Sequence, residues 1–560
     1  MKKIFKFMLA VAAACTMVFS CDKVEEPQAD PQDPSQEQPE TPNEEEEEPA
    51  PEPTLEVSLT ELAFEAVAGE ATFTVTTNQD WTAATEAAWI TLDPASGAAS
   101  TEAATVKVTA AENTVTEART ATVTVTAGEL TKTISVTQAA AIPEPDGTQT
   151  NPYLVANVAE LQGIAAKLVA DATTYFKLTA NIDLAGTEWT PISTTETVED
   201  ATVVKAIALD GCNYTISNAK DALFSTLCGS VQNLKIDGSA INASNTVGVV
   251  ANTVKDATVK DVEVKNSSIV STAGEAGGAV GKLTSGTLEN VKVACTVSGT
   301  QKLGVLVGWL ENGNVKKCTV TGEITGTIYY IGGLAGLMTG GSVEGSSADV
   351  KATTTSESYG RIGCFIGQVE GGSISTSHAA GSVTSKGHYG GGFIGVLAKN
   401  VGVTVSKCYA TGTVNLPSDV NKSGGAGFIG AVENEGTFNI SDCYTTATVT
   451  AHRWSSAFLG RMLNNCKVTI TNCYTKANCT FTQPANCGAL VGDVATSATL
   501  TYSGCIAWNV NALTLFVRPG VETAPEGNYF GTEGTISAKA KDFGWDTTIW
   551  DLTKDDPTLK

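Results

Sequence analysis

The chain has 560 residues, a formal net charge of −25 and only 17% charged side chains. Its length predicts more than one domain. Its negative charge argues against nucleic acid and anionic membrane surfaces as partners. The 54 glycines favour a β protein with many turns.

Residues 1–21 have the pattern of an export signal, with a basic start and an apolar run over 4–19 that is too short to span a bilayer comfortably. The run ends in Val18-Phe19-Ser20-Cys21, which resembles a bacterial lipobox although Phe19 departs from it. That resemblance implies a lipid on Cys21 and attachment to a membrane. Cleavage without lipidation is the alternative.

Residues 22–54 are rich in proline and acidic side chains, including the run at 44–48. Such a stretch cannot bury a core and is held extended by proline stiffness and charge repulsion. It is predicted to be a linker that lifts the folded part of the chain away from the membrane.

Residues 55–141 alternate apolar and polar side chains in segments such as ATFTVTT and ARTATVTVTAG. This period of two predicts half-buried strands in a small immunoglobulin-like β-sandwich. NQDW at 78–81, AAWITLDPASG at 87–97, Arg119 and the closing Thr137-Gln138 resemble the BACON domain. The resemblance implies carbohydrate binding. Trp81 and Trp89 are the candidate sugar platforms, and the alternative is that both rings fill the core.

A helix is expected after the short linker at 142–148. Asn157 and Glu160 have the spacing of a capping box, and Leu161, Ile164, Leu168 and Val169 make one apolar face. We expect this helix to cover the first coil of the next domain, where an open sheet edge would invite aggregation. The C-terminal aromatic segment is expected to close the other end through the apolar side chains Phe543, Trp545, Trp550 and Leu552.

Between these ends the chain repeats a short motif: two apolar residues followed by a small one. The small residues, 27 to 35 positions apart, are Ala251, Gly281, Gly308, Gly336, Gly367, Gly395, Gly430, Gly460 and Gly492. A second column follows each copy and contains Cys318, Ser346, Ser377, Cys408, Cys443, Cys473 and Cys505. Short strands, no helical period and a repeat of about 30 residues predict a right-handed parallel β-helix over residues 142–560.

The segment Gly333-Leu334-Ala335-Gly336 and the later CYATG resemble the GLUG repeat. This resemblance covers roughly residues 146–560 and implies the β-helix fold, with little information on activity. Export signal, acidic linker, BACON-like domain and GLUG repeats together resemble a surface lipoprotein of the Bacteroidetes.

No catalytic motif accompanies the three histidines at 378, 388 and 452. HExxH, GxSxG and a Walker loop are absent from the sequence. The NTD and paired-aspartate motifs of pectin hydrolases, which supply the carboxylates for hydrolysis, are missing between residues 190 and 540. Zinc would require paired cysteine spacings, which are also missing. The cysteines therefore predict a stacked column of small buried side chains. Disulfides among Cys466, Cys473, Cys479 and Cys487 remain the alternative. No enzyme activity, metal or cofactor is expected.

The last pattern lies six residues before each small residue. In chain order, that phase contains Lys302, Tyr330, Arg361, Tyr389, Gly424, Trp454 and Asn486, with His388 and Arg453 one position earlier. Residues of equal phase stack about 4.8 Å apart, close to the length of a sugar unit. Tyr330, Tyr389 and Trp454 could stack on sugar rings while Arg361, His388 and Arg453 donate hydrogen bonds. The alternative is that these rings only pack over glycines.

The sequence thus predicts an all-β, non-catalytic lipoprotein exposed at the outer membrane, acting as an adhesin or glycan-binding protein. Its expected partners are a glycan or host surface ligand, and the membrane through Cys21. A structural spacer without ligand is the first alternative. A polysaccharide-degrading β-helix is the second.

Overall fold

A computed structural model describes residues 51–327, 329–357, 360–398, 402–416, 424–508 and 513–560. Cys21 and most of the acidic linker lie outside these residues. The chain divides into two compact units, one ending at Ile142 and the other beginning at Pro143. Strands make up 55% and helices 4%, so the all-β prediction is confirmed. Within the described ranges, no helix is long and apolar enough to cross a membrane.

The first unit is the predicted β-sandwich. Its nine strands are β1 Leu55–Val57, β2 Glu61–Phe64, β3 Gly69–Thr77, β4 Trp81–Ala84, β5 Ile90–Asp93, β6 Ser96–Gly97, β7 Ser100–Ala110, β8 Arg119–Ala127 and β9 Leu130–Gln138. They form a four-stranded sheet in the order β1-β3-β7-β5 and a five-stranded sheet in the order β2-β9-β8-β4-β6. Alternate side chains such as Phe73, Val106 and Val123 point inward and are fully buried.

The second unit is a parallel β-solenoid of about 11 turns. Its opening strands are Tyr153–Val155, Thr173–Leu178, Ile182–Asp183, Ile192–Ser193, Ala206–Asp210, Thr215–Ser217, Phe224–Asp237 and Ala240–Ala243, with an antiparallel hairpin of Thr195–Val198 and Ala201–Val204. From Val247 onward each regular coil has four strand positions, which we call the bend, anchor, middle and return strands.

The bend strands form a separate seven-stranded parallel sheet: Val247–Gly248, Ala276–Gly277, Leu303–Gly304, Tyr330–Gly332, Arg361–Gly363, Tyr389–Gly391 and Gly425–Ala426. The anchor strands contain the small residues of the repeat: the start of Ala251–Ser271, then Val280–Leu283, Val307–Leu310, Ala335–Met338, Ile366–Val369, Ile394–Ala398, Ile429–Glu433, Leu459–Met462 and Val491–Val494.

The middle strands are Gly286–Glu289, Asn314–Lys316, Ser342–Glu344, Gly372–Ser375, Val403–Ser406, Gly436–Ser441, Cys466–Thr471 and Thr499–Ser503. The return strands, some of them split in two, are Lys292–Gly299, Thr319–Gly326, Ser347–Thr354, His378–Ala379 with Ser382–Ser385, Tyr409–Ala410 with Thr413–Asn415, Tyr444–Thr445 with Thr448–Ala451, Tyr474–Thr475 with Asn478–Phe481, Ile506–Trp508 and Tyr529–Gly531.

Steric crowding explains the small residue of the repeat. A Cβ atom added to Gly336 would lie 2.4 Å from the backbone nitrogen of Leu303, in the bend strand of the preceding coil. An added Cβ at Gly367 would likewise lie 2.6 Å from the nitrogen of Ile331. The anchor strands from Val280–Leu283 onward therefore need glycine, because the bend strand of the preceding coil passes close to them. The first anchor strand has Ala251, and no bend strand precedes its coil.

Identical phases stack through the core. Four phenylalanines, Phe365, Phe393, Phe428 and Phe458, form a continuous stack with ring centroids 4.5, 5.0 and 5.0 Å apart. Such ladders bury apolar area in every coil and provide most of the favourable free energy of folding.

The turn between middle and return strands explains the cysteine column. One residue there is left-handed in each coil, as at Lys407, Asp442 and Asn472 with φ of 53°, 54° and 51°. The next residue, Cys408, Cys443 or Cys473, then points inward and is fully buried. The backbone nitrogen of Cys443 donates to Cys473 Sγ at 3.4 Å. All twelve cysteines between 212 and 505 are free thiols, in agreement with the stacked-column interpretation.

The N-terminal capping helix is present but interrupted. Asn157 accepts from the backbone nitrogen of Glu160, as in a capping box. The Glu160 carboxylate accepts from the nitrogen of Ala156, one residue before the cap. α1 spans Val158–Gln162 and α2 spans Ile164–Lys167, with Gly163 between them. Leu161, Ile164 and Leu168 are buried as expected. Val169 is 56% exposed because the helix has ended before it, so its place on the apolar face was wrong.

The C-terminal aromatic segment covers a side of the solenoid and not its end. Its elements are α3 Ile536–Asp542 and the antiparallel pair Trp550–Asp551 and Thr558–Leu559. Trp545 and Trp550 pack on the outward rings of Tyr444 and Tyr474 in a cluster separate from the main core. Leu513, Phe516 and Val517 join the main core at the last coil instead. The expectation for the tail was wrong because the stacked tyrosines offer it a flat apolar face.

Candidate binding groove

Two columns of side chains face each other where each bend strand meets its anchor strand. The bend column is the one identified by phase: Lys302, Tyr330, Arg361, Tyr389, Gly424, Trp454 and Asn486. The parallel register of Tyr330, Arg361 and Tyr389 places these residues directly above one another. The anchor column lies opposite and consists of Trp309, Leu337, Gln368, Val396, Ala431, Arg461 and Asp493. We call the surface formed by the two columns the bend groove.

Contacts across the groove recur from coil to coil. The Lys302 ammonium lies 4.1 Å from the Trp309 ring centroid, and Arg361 donates to Gln368. Tyr389 packs on Val396, and the Arg461 guanidinium lies 4.0 Å from the Trp454 ring. The sequence analysis missed the anchor column, although it occupies a fixed position immediately after each small residue.

A pocket of about 200 Å³ opens midway along the groove, lined by Gly360, Arg361, His388, Tyr389 and Glu433. Three of these residues, Arg361, His388 and Tyr389, were selected from the sequence as candidates, and the structure brings them together. Glu433 was not selected, since its role depends on contact with a residue two coils away. A larger cavity of about 500 Å³ lies beside the first coil, but no arginine lines it.

Arg361 organises the pocket. Its Nη2 donates to Glu433 Oε2 at 2.7 Å, and its Nη1 donates to Gln368, whose amide donates to Glu370 Oε1 at 2.6 Å. Gln368 and Glu370 are buried. These charge-assisted hydrogen bonds hold the guanidinium in one orientation, with part of its surface exposed to the pocket.

The Tyr389 ring forms one wall of the pocket and lies over a glycine. A Cβ added to Gly424 would meet Tyr389 Cδ1 at 2.5 Å, so only glycine permits this packing. Burial, followed by the nearby Glu433 carboxylate, raises the pKa of the Tyr389 phenol. The ring is half-buried. It packs over a glycine, as one interpretation of the sequence held, and it keeps an exposed part on which a sugar ring could stack, as the other held.

Trp454 is surrounded by cations. The guanidinium carbons of Arg453 and Arg461 each lie 4.0 Å from its ring centroid. Its φ of 55° is rare for a bulky residue and occurs where the previous coil has Gly424, with φ of 91°. The π surface of Trp454 is thus used by the protein's own arginines, and the ring separates two cations instead of presenting a bare platform.

A third arginine completes this end of the groove. Arg461 Nε donates to Asp493 Oδ2 at 3.1 Å, and Arg518 pairs with the other oxygen of the same carboxylate. We call Arg453, Arg461 and Arg518, with Trp454 and Asp493, the arginine cluster. Arg453 Nε is buried without a hydrogen-bond partner among the described residues.

The opposite end of the groove is electrically balanced. Lys302 pairs with Glu275 at 2.6 Å, and Lys282 pairs with Glu311 at 3.0 Å. Both ammonium groups lie over Trp309. Burial alone would raise the pKa of Glu275, but hydrogen bonds from Lys302 and Thr246 outweigh it and lower that pKa. Tyr330, one coil further, lies 5.7 Å from the Arg361 guanidinium.

The two sandwich tryptophans occupy different environments. Trp81 is 3% exposed in the core, where Gly97 leaves room for its indole. Its ring therefore has no face available to a sugar. Trp89 is half-buried, and the Arg119 guanidinium lies 4.4 Å from its ring centroid. Arg119 Nε in turn donates to Gln138 Oε1 at 2.9 Å.

The described residues contain no cluster of three or more His, Cys, Asp or Glu side chains that could hold a metal ion.

A second aromatic column, which the sequence analysis did not identify, lies on the return strands. His378, Tyr409, Tyr444 and Tyr474 stack with centroids 4.7, 4.8 and 4.8 Å apart. We call it the tyrosine column. The repeated tyrosine directly after Cys408, Cys443 and Cys473 was the available signal.

Comparison with known families agrees with both domains. The sequence profile of the BACON family, described as "Putative binding domain, N-terminal", matches residues 78–139. The profile described as "The GLUG motif" matches residues 299–325. The BACON and GLUG resemblances seen in the sequence are thereby confirmed.

Longer relatives share part of the chain. Halomucin of Haloquadratum walsbyi is 28% identical over 231 residues, which cover 36% of this chain and 2% of halomucin. The immunoglobulin A1 protease of Streptococcus sanguinis is 27% identical over 191 residues, covering 32% of this chain and 9% of the protease. The chain therefore spans less than a tenth of either relative. A solved IgA1 protease structure is 15% identical, with a TM-score of 0.31, and covers 72% of this chain and 27% of the protease.

Proposed function

We propose that the protein is a non-catalytic glycan-binding lipoprotein, held at the cell surface by a lipid on Cys21, and that the bend groove is its binding site. The observation that carries this proposal is the pocket lined by Arg361, His388, Tyr389 and Glu433 within an in-register groove. Coils repeat at about 4.8 Å, so successive sugar units can meet equivalent positions along the groove.

The side chains suit sugar recognition. A pyranose presents an apolar face and a rim of hydroxyls. The half-buried Tyr389 ring offers an apolar surface, while Arg361 donates and Glu433 accepts hydrogen bonds. Because Arg361 and Glu433 already fix each other, little side-chain freedom is lost on binding. The profile match to a binding domain at residues 78–139 supports the same class of function.

The carboxylate that lines the pocket, Glu433, and the buried Glu370 behind it favour binding over hydrolysis. Glycoside hydrolysis needs one carboxylic acid and one carboxylate placed on either side of the scissile bond. Here Glu433 is paired with Arg361, and Glu370 accepts from the buried amide of Gln368. Both groups serve to orient Arg361.

A glycan array probed with the full-length chain tests the proposal. Binding should appear on the array, and Tyr389→Ala should weaken it about tenfold, since a lost aromatic contact of about 1.5 kcal/mol has that effect. Tyr409→Ala is the matched control, because it removes a half-buried ring from the tyrosine column. An array without binding would favour the structural spacer. Release of sugar from mixed polysaccharides would favour the enzyme.

A further inference from the structure

The arginines of this chain are confined to very few places. There are five, and Arg119 belongs to the sandwich. The other four, Arg361, Arg453, Arg461 and Arg518, all lie along the bend groove. The remaining basic residues of the chain are lysines. Arginine is a planar cation with several hydrogen-bond donors. In a chain with a net charge of −25, all four arginines of the solenoid therefore lie on one surface.

The local charge of the arginine cluster is positive. Asp493 is the only acidic partner that the described contacts give to Arg461 and Arg518, and Arg453 stacks on Trp454. Three guanidinium groups therefore face one carboxylate. At the Arg361 end, Glu433 and Glu370 offset the charge of Arg361.

Contacts within the arginine cluster hold its side chains in place. Trp454 holds two guanidinium groups at 4.0 Å from its ring centroid, and Asp493 bridges two. Arg453 Nε is buried and has no hydrogen-bond partner within the described ranges. A buried donor without an acceptor costs free energy, so the cluster keeps unsatisfied hydrogen-bonding capacity.

We infer that the bend groove binds an anionic glycan, with a carboxylate or sulfate group at the arginine cluster and a neighbouring sugar at Tyr389. This inference rests on the proposed function and specifies its ligand class. Planar guanidinium groups bind carboxylate and sulfate oxygens through paired hydrogen bonds, which gives both affinity and orientation. The strongly negative remainder of the chain would repel the polymer elsewhere and confine it to the groove.

The test measures binding of the full-length chain to chondroitin sulfate, hyaluronan and dextran by calorimetry at low and physiological salt. Chondroitin sulfate carries sulfate and carboxylate, hyaluronan carries carboxylate alone, and dextran is neutral. We expect binding to at least one of the two anionic polymers and weaker binding as salt rises. Hyaluronan binding as strong as that of chondroitin sulfate would assign the anion as carboxylate, and chondroitin sulfate alone would assign it as sulfate.

Variants locate the anion. Arg453→Gln with Arg518→Gln should weaken anionic binding about tenfold or more, because a charge-assisted hydrogen bond is lost at each site. Lys260→Gln with Lys351→Gln is the matched control: it removes two charges from half-exposed or exposed ion pairs at other strand positions.

The outcomes separate the inference from the function on which it rests. Dextran binding that depends on Tyr389, without anionic binding, would overturn the inference and keep the proposed function. Equal loss in the arginine and lysine double variants would show that only net charge matters and would also overturn it. Absence of binding to all three polymers and to the glycan array would overturn both. A thermal melt of each variant shows whether its fold is retained.

Discussion

The solenoid has two aromatic columns on its outer surface, and they differ in what covers them. In the tyrosine column, Tyr444 and Tyr474 are buried under the C-terminal segment, and the Tyr474 hydroxyl donates to the carbonyl of Pro557 at 2.9 Å. In the bend groove, Tyr330 and Tyr389 remain half-buried beside arginines and carboxylates. The C-terminal segment of the chain thus covers part of the tyrosine column, whereas the aromatic rings of the bend groove stay partly accessible.

The difference follows from neighbouring chemistry. Stacked rings with small residues around them make a flat apolar face, which Trp545 and Trp550 cover. In the groove, each aromatic ring alternates with a charged or small residue, as in the succession Tyr330, Arg361, Tyr389 and Gly424. A mixed surface of that kind is not closed by apolar packing, but it suits a ligand that is itself partly apolar and partly polar.

The largest effect on stability is expected from Trp550→Ala, in the C-terminal segment that covers the tyrosine column. Trp550 is fully buried, and its ring centroid lies 4.6 Å from that of Trp545 in a tilted arrangement. Its indole nitrogen donates to Asp442 Oδ1 at 3.2 Å. Its loss should destabilise the docked segment by about 3–5 kcal/mol. Limited proteolysis should then cut the chain near residues 536–560. Glycan binding should stay unchanged, and a loss of binding would show that the two columns are coupled.

Cysteine reactivity tests whether the core beneath the tyrosine column stays closed to reagents when the C-terminal segment is loosened. Burial raises the pKa of Cys443 and Cys505 well above the usual range, and neither is exposed. Among the cysteines at 212–505, Cys212 is only half-buried and should be alkylated first in the native protein. Peptide mass spectrometry should show Cys408, Cys443 and Cys473 unmodified, also in Trp550→Ala. Rapid modification, or disulfides among them, would contradict the stacked column.

A smaller effect is expected at Trp454, where the backbone is left-handed. Trp454→Gly relieves that strain and Trp454→Ala does not, so the glycine variant should be the more stable of the two by about 1 kcal/mol in chemical denaturation. Both remove the ring that separates Arg453 and Arg461, so both should bind anionic glycan more weakly. A more stable alanine variant would mean that the backbone relaxes when the ring is removed.

The smallest effect concerns pH at the free end of the tyrosine column. Burial lowers the pKa of His378, which stacks on Tyr409, below its usual 6.5. The neutral form is favoured in the folded state, so its contribution to stability is full above pH 6.5 and is lost as pH falls through the lowered value. The melting temperature of the parent should decline slightly more than that of His378→Gln between pH 7 and pH 5. Parallel curves would contradict the stack.

The periodic part of the fold could be predicted from the sequence, because stacked coils place equal phases together. The repeat gave the solenoid, the cysteine column and the register of Tyr330, Arg361 and Tyr389. The docking of Trp550 on Tyr444 joins residues more than a hundred positions apart without any repeat, so no phase argument could find it. The role of Glu433 could not be predicted for the same reason, because its partner Arg361 lies two coils away.

The most direct test of the central claim is hydrogen–deuterium exchange of the full-length chain with and without chondroitin sulfate. Both columns contain aromatic rings, so this measurement asks which one a glycan meets. We predict protection in peptides covering 360–363, 388–392 and 453–462, which form the bend groove, and no change at 409–411 and 444–446 in the tyrosine column. Protection confined to the tyrosine column, or to the sandwich around Trp89, would contradict the account.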